Sequence, residues 1–369
     1  MGLLTEKDLL ERVLMHVDGK TTDLSKEVWR EPVVNYTSSE RLEAEIARIF
    51  RRQACVFAPA AALPEAGSYM ARDVTGLPII AVRGHDGVVR AFKNSCRHRG
   101  AALAEGTGCK KTLVCPYHAW TYGLDGKLRG IPDEHGFPGV KKEEHGLVPV
   151  AAFEKYGLVF LNLEGSNGPD EHLEEMGEII GPKFQVISHT EREVEANWKL
   201  IAEGFLEGYH IKHTHPETFY PRQYDNLNVI EQFGPNNRIT YPFRVVEKLK
   251  ERPADAWVGR EVVTNVYHLF PNCMISIHPA SIGVSVFEPL APDRTNVISF
   301  MVSDVMDSDQ GRYVVGKAKD LIVAAKAEDR FVVSANQKGI KSGANEYLTF
   351  GLFEGALRHF HKTLSERLG

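Results

Sequence analysis

The stretch Cys96–His118 reads "CRHRGAALAEGTGCKKTLVCPYH", and its spacing is Cys-x-His-x16-Cys-x2-His. Each end of the stretch carries one thiol and one imidazole, and a glycine-containing segment joins the two ends. Thiolates and imidazoles are the ligands that zinc, copper and iron–sulfur centres prefer in proteins. The stretch therefore predicts a metal centre that is held between two short arms of the chain.

Three kinds of structure are consistent with Cys96, His98, Cys115 and His118. The first is a packed core with incidental thiols and imidazoles. The second is a structural zinc site, but the arms of such sites usually repeat one ligand type. The third is a [2Fe–2S] cluster with two thiolates on one iron and two imidazoles on the other, which is the Rieske pattern. The mixed arms favour the cluster, because each arm then sends one ligand to each iron.

Composition indicates a globular protein with room for two domains. The chain has 369 residues, of which 43% are hydrophobic and 25% charged. The net charge of −5 leaves no basic excess for phosphates, so we expect no nucleic-acid partner. No apolar run approaches the ~20 residues of a membrane span. The acidic N-terminal stretch does not resemble a signal peptide. We therefore expect a cytoplasmic protein without membrane association.

Helical and β-rich patterns alternate along the first half of the chain. The spacing of apolar residues predicts helices over about 3–15 and 38–52, the second with Ser39 as its N-cap. From about 55 to 165 the sequence consists of short β-rich runs separated by Asp-Gly and other turns. The chain has five cysteines, an odd number, and three of them (Cys96, Cys109 and Cys115) crowd one part of this region, which does not suggest a disulfide framework.

The second half predicts a mixed domain. We expect a helix over about 196–212, strands within 261–303 and two helices near the C-terminal end. The predicted fold class is α+β, with a small all-β [2Fe–2S] domain and a larger domain whose antiparallel sheet is flanked by helices. The predicted boundaries are 47–164 for the small domain, and 1–46 together with 165–369 for the larger one.

A second cluster of metal-binding residue types lies in "NWKLIAEGFLEGYHIKHTHPE", Asn197–Glu217. Glu203, Glu207 and His210 fall at i, i+4 and i+7, so a continuous helix would carry them on one face. His215 follows, directly before a proline that a helix interior does not tolerate. An amphipathic helix with exposed acids and surface histidines would show the same pattern.

Together the two segments resemble the Rieske non-haem iron oxygenases. Residues 94–120 are similar to the Rieske domain of that family. Respiratory Rieske proteins carry an additional cysteine in each arm, where this chain has Ala101 and Tyr117. The pattern Glu-x3-Glu-x2-His-x4-His, preceded by Asn-Trp-Lys, resembles the iron-binding motif of the oxygenases. The resemblance covers nearly the whole chain in the order typical of the family.

The resemblance implies a mononuclear Fe(II) bound by His210 and His215. A carboxylate must complete the set, so that open positions remain for O2. The segment "AKAEDRFVVSANQKGIKSG" resembles the family segment that supplies it, which places Asp329 as the third ligand. Glu328 is the neighbour most easily confused with it. An exposed acidic pair on a helix is the alternative interpretation.

The resemblance also implies a role for the acids of the iron motif. In the family, the acid at the position of Glu207 links the histidine at the position of His210 to the second Rieske histidine, here His118, of the adjacent subunit. Alternatively, Glu207 itself binds the iron and Asp329 is structural. Glu203 is expected to support the iron site without binding the metal.

Two positions depart from the common family pattern. Gly204 stands where many members have Asn, and Glu207 stands where ring-dihydroxylating members mostly have Asp. Glutamate at that position is familiar in oxygenases that act on quaternary ammonium compounds, such as carnitine monooxygenase. No role is assigned to Cys109, His213, His359 and His361.

The implied activity is that of a terminal oxygenase component. A separate reductase, with or without a ferredoxin, passes electrons from NAD(P)H to the Rieske cluster, and the mononuclear iron uses them with O2. In the family the cluster of one subunit serves the iron of its neighbour, so we expect a homotrimer without a second type of subunit. A pure electron-transfer Rieske protein and a non-catalytic iron–sulfur sensor are the rival classes.

The substrate is expected to be a small organic molecule, and family frequency favours an aromatic one. The alternative is monooxygenation or oxidative demethylation of a quaternary ammonium, N-methyl or O-methyl compound. A quaternary ammonium would require aromatic ring faces, and a carboxylate would require a cation such as Arg. The lining is expected to come from about 200–300 and the C-terminal helices. That region contains Tyr220, Tyr224, Phe233, Tyr241, Phe243, Arg222, Arg238 and Arg244, and for most of these the favoured interpretation is packing of the rings in the core and solvation of the arginines.

Overall fold

The computed structural model describes residues 2–369, which form two compact units. The smaller unit comprises Phe50–Pro169 and Glu178–Pro182. The larger unit comprises the chain up to Ile49, Asp170–Gly177 and Lys183–Gly369. Among the described residues, no helix is both long enough and apolar enough to cross a membrane. The predicted domains, a [2Fe–2S] domain over 47–164 and an iron-binding domain over 1–46 and 165–369, stay a prediction.

The helices are α1 (Glu6–Gly19), α2 (Val34–Thr37), α3 (Ser39–Glu45), α4 (Trp198–Glu203), α5 (Ile211–Thr214), α6 (Gly259–Val262), α7 (Asp309–Ile340) and α8 (Gly355–Leu368). The first strands are β1 (Trp29–Pro32), β2 (Cys55–Pro59), β3 (Ser68–Val74), β4 (Leu77–Arg83), β5 (Val89–Lys93), β6 (Gly106–Cys109), β7 (Leu113–Val114), β8 (Thr121–Tyr122), β9 (Leu128–Gly130), β10 (Pro149–Lys155) and β11 (Leu158–Asn162). The remaining strands are β12 (Gln185–Val194), β13 (Val229–Phe233), β14 (Asn236–Pro242), β15 (Val263–Leu269), β16 (Cys273–His278), β17 (Ser281–Ala291), β18 (Arg294–Ser303) and β19 (Tyr347–Phe350).

The smaller unit is built from two antiparallel sheets. One has seven strands in the order β2-β11-β10-β5-β4-β3-β6, and the other has three in the order β7-β8-β9. Its core contains Phe92, Trp120 and Tyr122 together with the two thiols of Cys96 and Cys115. The loop that begins at Cys96 follows β5, and the loop that begins at Cys115 connects β7 to β8. Both loops therefore start from strands that are fixed by their sheets.

The larger unit contains a seven-stranded antiparallel sheet in the order β12-β18-β17-β16-β15-β14-β13. Residues such as Val284 and Val286 of β17 and Ile298 of β18 are fully buried. Helix α7 contacts α4 and α5, and α8 packs on β13 and β14. The predicted α+β fold class, with a small all-β domain and a larger domain of sheet and helices, is confirmed.

The continuous helix predicted over 196–212 is wrong. Helix α4 ends at Glu203 and α5 begins at Ile211, so the acids and histidines of the motif do not lie along one helix. Two glycines interrupt the segment, and glycine is a poor helix former. At Gly208 a Cβ atom would lie 2.4 Å from Asn228 Oδ1, so the chain passes too close for a side chain. Glu207 accepts the backbone N–H of His210 at 3.1 Å in place of a helical carbonyl.

Two smaller predictions also differ from the structure. The N-cap of α3 is Ser38, whose hydroxyl accepts the Arg41 N–H at 3.1 Å, and Ser39 is the first helical residue. The sheet of the larger unit includes β12, β13 and β14 in addition to the strands predicted within 261–303. Strand β12 lies at the edge of that sheet and is largely exposed, so it lacks the apolar alternation that marks a half-buried strand.

Candidate metal centres and active site

The first predicted ligand loop is closed by its own backbone. The Cys96 N–H donates to the Ala101 carbonyl at 2.8 Å, and the Gly100 N–H donates to the Cys96 carbonyl at 2.9 Å. Gly100 has a φ of +82°, a left-handed conformation that glycine adopts without steric cost. These bonds fix where the Cys96 thiol and the His98 ring project from the loop.

The second loop repeats the same hydrogen-bonding pattern. The Cys115 N–H donates to the Trp120 carbonyl at 2.9 Å, and the Ala119 N–H donates to the Cys115 carbonyl at 3.0 Å. Ala119 has a φ of +56°, which costs roughly 1–2 kcal/mol for a residue with a Cβ atom. Both cysteines are therefore presented by the same type of turn, although their sequences differ.

The two thiols are buried beside a tyrosine hydroxyl. Cys96 and Cys115 are each 3% exposed. The Tyr122 hydroxyl lies 3.3 Å from Cys96 Sγ and accepts the Arg97 N–H at 3.0 Å. Burial raises the pKa of Tyr122, so the phenol stays protonated. It can therefore donate a hydrogen bond to a Cys96 thiolate.

The two imidazoles lie side by side. The ring centroids of His98 and His118 are 4.7 Å apart, and His98 stacks on Trp120 at 5.0 Å with an interplanar angle of 9°. Nδ1 of His98 is buried, and it has no hydrogen-bond partner among residues 2–369. Burial lowers the pKa of His98, and the neighbouring His118 lowers it further, which favours a neutral ring. His118 is exposed.

These four side chains fit a [2Fe–2S] cluster. Soft thiolates and neutral imidazoles are its ligand types in the Rieske pattern. The unsatisfied His98 Nδ1 is explained if it binds a metal, because a buried polar atom without a partner is otherwise costly. The exposed Cys109 lies outside both loops. The ligand roles of Cys96, Cys115, His98 and His118 stay predictions.

In the larger unit, His210, His215 and Asp329 come together from two distant segments. One potential ligand atom from each residue lies within 4.8 Å of the others. Asp329 Oδ1 lies 2.9 Å from His215 Nε2 and 3.8 Å from His210 Nε2. His210 and His215 flank the short helix α5, and Asp329 lies in α7, which packs on α5.

A carboxylate lies behind each histidine. Nδ1 of His210 contacts Glu207 Oε1, and Nδ1 of His215 lies 2.7 Å from Glu328 Oε2. Glu328 is held in turn by the Thr218 hydroxyl, which donates to Oε2 at 2.6 Å. With Nδ1 engaged by a carboxylate, each imidazole presents its Nε2 lone pair to a metal. The structure thus brings Asp329 to the Nε2 atoms and Glu328 to the outer side of His215.

This arrangement fits an iron of the facial-triad type. Two imidazoles and one carboxylate are its ligand set, and they leave positions open. Burial would lower the pKa of His210, but the carboxylates of Glu207 and Asp329 raise it. The raised pKa favours a protonated His210 ring when no metal is bound. A bound dication would take the place of that proton. The ligand roles of His210, His215 and Asp329 stay predictions, as does the role of Glu207.

Glu203 does not contact the two histidines but belongs to a buried polar cluster with α8. Its Oε1 accepts the Tyr36 hydroxyl at 2.7 Å and lies 2.9 Å from His361 Nε2. Nδ1 of His361 lies 3.4 Å from Glu31 Oε1. Burial opposes ionisation of Glu31, but His361 and two further donors lower its pKa to about 2. No role was predicted for His361, because only the fold brings these segments together.

A cavity of about 730 Å³ lies beside the His–His–Asp site. Glu203, Glu207, His210 and Asp329 line it, with the carboxylate of Glu354. Burial raises the pKa of Glu354 to about 7, and Glu207 and Glu203 add to the shift although the Gly351 N–H opposes it. The apolar part of its wall includes the rings of Phe205, Phe287, Phe300 and Phe350. The cavity therefore combines aromatic rings with carboxylates.

A second cavity of about 90 Å³ shares His210 and Asp329 with the first and also reaches His215. Of the lining residues predicted from the sequence, Tyr241 faces this smaller cavity. Arg238 is instead paired with Glu231 at 2.7 Å. The walls come from residues between Leu200 and Met301 and from α7 and α8, as expected, and also from β12, which the prediction did not include.

The family description "Rieske [2Fe-2S] domain" matches residues 53–150, and "Ring hydroxylating alpha subunit (catalytic domain)" matches residues 183–369. The chain is 37% identical over 336 residues to the carnitine monooxygenase oxygenase subunit of Acinetobacter pittii, covering 85% of this chain and 86% of that protein. It is 34% identical over 188 residues to the glycine betaine monooxygenase oxygenase subunit of Chromohalobacter salexigens, covering 49% of this chain and 42% of that one.

A solved structure of a quaternary ammonium Rieske monooxygenase in complex with L-carnitine has the same fold, with a TM-score of 0.78 at 23% identity over 100% of both chains. The resemblance inferred from the two motifs is confirmed, and the catalytic-domain match rejects a protein that only transfers electrons. The cofactors are a Rieske [2Fe–2S] cluster and a mononuclear iron, with O2 and reductase-delivered electrons from NAD(P)H as co-reactants. The chain belongs to the Rieske non-haem iron oxygenases, as an oxygenase α-subunit.

Proposed function

We propose that this oxygenase monooxygenates a quaternary ammonium compound. The observation that carries the proposal is the wall of the cavity beside His210 and Asp329, where the carboxyl group of Glu354 and several phenyl rings face the same space. Glu203 and Glu207 are engaged by His361 and His210, but oxidation of an aromatic hydrocarbon, the substrate class first expected, gives no reason for the carboxyl group of Glu354. The alternative expected from the sequence thus becomes the main proposal.

A trimethylammonium group carries a charge but no N–H donor. It is therefore bound through aromatic ring faces and through nearby carboxylates without hydrogen bonds to nitrogen. Phe205 and Phe287 supply rings, while Glu203 and Glu354 supply charge. Because burial and the neighbouring acids raise the pKa of Glu354 to about 7, a bound cation would shift this carboxyl towards its ionised form.

The relatives support the same substrate class. One is a carnitine monooxygenase subunit that aligns with 85% of this chain, and another is a glycine betaine monooxygenase subunit. Both substrates contain a quaternary nitrogen. Glu207, where ring-dihydroxylating members mostly have Asp, agrees with this assignment.

Each predicted site residue has a distinct task in this proposal. Cys96 and Cys115 would hold one iron of the cluster, and His98 and His118 the other. His210, His215 and Asp329 would hold the mononuclear iron, which supplies O2 activation when bound. Glu207 fixes the His210 ring through Nδ1, and Glu328 does the same for His215.

In the proposed mechanism, electrons pass from the cluster of one subunit to the iron of a neighbouring subunit. We retain the prediction that Glu207 links His210 to His118 of a neighbouring subunit in a homotrimer. The structure of a quaternary ammonium Rieske monooxygenase gave insight into inter-subunit electron transfer in that protein, which agrees with this arrangement. A reductase partner is common to the family. The homotrimer, the ferredoxin and the cytoplasmic location stay predictions.

Substrate-dependent O2 consumption by the iron-replete enzyme with a surrogate reductase tests the proposal. L-carnitine, glycine betaine and choline are compared with naphthalene and benzoate, and the oxidised product is identified by mass spectrometry. A quaternary ammonium compound should give O2 uptake that is matched by product, with one oxygen atom in the product and the other in water. Coupled turnover of an aromatic compound, with none for the ammonium compounds, would restore the first expectation.

A further inference from the structure

Lys326 lies on α7, one turn before Asp329, and it lines both the large and the small cavity. Its ammonium group lies 3.2 Å from Ser299 Oγ and 3.4 Å from Ser285 Oγ. The two serines are paired across β17 and β18, with their hydroxyls 3.4 Å apart. The amine is thus held against the sheet by two neutral hydroxyl groups.

Among residues 2–369, Lys326 forms no ion pair with a carboxylate. The nearby Asp329 carboxylate is the predicted third ligand of the iron, together with His210 and His215. Burial lowers the pKa of Lys326 to about 8, although Asp329 opposes the shift, so the amine is mostly charged at pH 7. A desolvated cation without a counter-ion is unfavourable, and an anion that binds in the cavity would relieve that cost.

Three further cations line the large cavity. They are Lys319 and Arg330, on the same helix as Lys326, and Arg192, on β12. Burial lowers the pKa of Arg330, and repulsion by Arg192 lowers it further. Neither arginine is paired with a carboxylate in the part of the chain that the structure describes. The wall around Lys326 therefore carries more positive charges than the single carboxylate of Asp329 balances.

The acids lie in another group. Glu354 interacts electrostatically with Glu207, Glu203 and His210, whereas Lys326 interacts with Asp329 and Arg330. Glu203, Glu207 and Glu354 thus form one electrostatic group of the cavity wall, and Lys326 and Arg330 form another with Asp329. A ligand with one positive and one negative end matches both groups.

We propose that Lys326 binds a carboxylate group of the substrate and thereby selects acids over neutral analogues. The proposal that the other end of the substrate is a quaternary ammonium group rests on the proposed function. The anion-binding role of Lys326 does not. Ser285 and Ser299 orient the ammonium group, and the carboxylate binds on its cavity side. Lys326 is in this sense a specificity-determining residue that takes no part in the oxygen chemistry.

Binding of matched ligand pairs to the iron-replete protein tests the proposal by isothermal titration calorimetry at pH 7. Glycine betaine is compared with choline, and benzoate with benzyl alcohol, because each pair differs in the carboxylate. Lys326→Met should weaken binding of the acid about 10- to 100-fold and change binding of the neutral analogue little. Lys326→Arg should retain part of the preference. The control is Lys317→Met, which removes an exposed lysine of the same helix that lines neither cavity.

The outcomes separate this proposal from the proposed function. If benzoate binding depends on Lys326 while neither ammonium compound binds, the role of Lys326 stands and the quaternary ammonium substrate is rejected. If Lys326→Met weakens both members of a pair equally, or leaves the preference for the acid intact, Lys326 is structural and the proposal is wrong. A native protein that prefers the acid in neither pair would overturn it as well.

Discussion

The cluster loops (residues 96–101 and 115–120) and the iron site hold their side chains in different ways. In each loop, thiol and imidazole are near neighbours in sequence, and two backbone hydrogen bonds close the turn. In the iron site, Asp329 approaches His210 and His215 from a distant helix, and carboxylates behind the rings fix their orientation. The first geometry is local, whereas the second depends on how α7 packs. The following predictions test this difference.

The largest effect is expected from breaking a cluster loop. Cys96→Ser should abolish the visible Rieske spectrum and turnover, because a hydroxyl is a poor substitute for a thiolate on iron. Mononuclear iron should remain, since His210, His215 and Asp329 belong to the other unit. Absorption spectroscopy with iron and sulfide analysis measures both. Cys109→Ser is the matched control, and a normal spectrum in Cys96→Ser would disprove the ligand assignment.

A graded loss is expected at the iron site. Asp329→Ala should lose the mononuclear iron and turnover while the cluster stays intact. Glu328→Ala should keep the ligand set but lower iron affinity about 10- to 100-fold, because His215 loses the carboxylate at Nδ1. Excess Fe(II) should restore activity to Glu328→Ala only. Iron titration followed by O2 uptake distinguishes the two variants. Near-normal turnover of iron-replete Asp329→Ala would reject that ligand.

A purely kinetic effect is expected at Glu207. Glu207→Gln preserves size, and its remaining oxygen can still accept a hydrogen bond at His210, but the charge is lost. Both metal centres should stay occupied and the reductase should reduce the cluster normally. Reoxidation of the cluster by O2 with substrate bound should become slow, as rapid-mixing spectroscopy would record. Reoxidation at the native rate would contradict the predicted bridge, and loss of the mononuclear iron would indicate direct ligation.

The smallest effect is expected at Tyr122. Its hydroxyl lies 3.3 Å from Cys96 Sγ, and hydrogen bonds to the sulfur ligands raise the reduction potential of such clusters. Tyr122→Phe should therefore lower the potential of the cluster and leave its iron and sulfide content unchanged. Potentiometric titration monitored by electron paramagnetic resonance measures the shift. An unchanged potential would show that the hydroxyl serves only the Arg97 N–H.

The sequence predicted those features that depend on neighbouring residues. The arms around Cys96 and Cys115, the β-rich unit and the strands from Val263 to Ser303 all carry local patterns that the structure reproduces. The helix expected over 196–212 does not form, although Glu203, Glu207 and His210 have the spacing of one helical face. The spacing of residues along the chain contains no information on the close approach of Gly208 to Asn228, because this is a contact between distant segments.

The supporting side chains of the iron site were harder to predict for the same reason. Glu328 and Asp329 are adjacent, so only the rotation of α7 decides which carboxylate reaches the His215 Nε2 atom. The contact of Glu203 with His361 joins α4 to the last helix of the chain. Lys326 lies in the segment that predicted Asp329 but was given no role, and its significance comes from the absence of an ion pair with a carboxylate among the described residues.

The two-stranded ribbon of β1 and β19 has a consequence for biosynthesis. Trp29 pairs with Phe350, and Phe350 lines the large cavity, so this part of the wall is paired with a strand that is synthesised long before it. During translation, β1 must wait for its partner until β19 has left the ribosome, and Asp329 emerges only shortly before. The residues of the smaller unit are all synthesised much earlier. The [2Fe–2S] loops can thus fold on the growing chain, whereas the iron site is completed only after α7 has been synthesised.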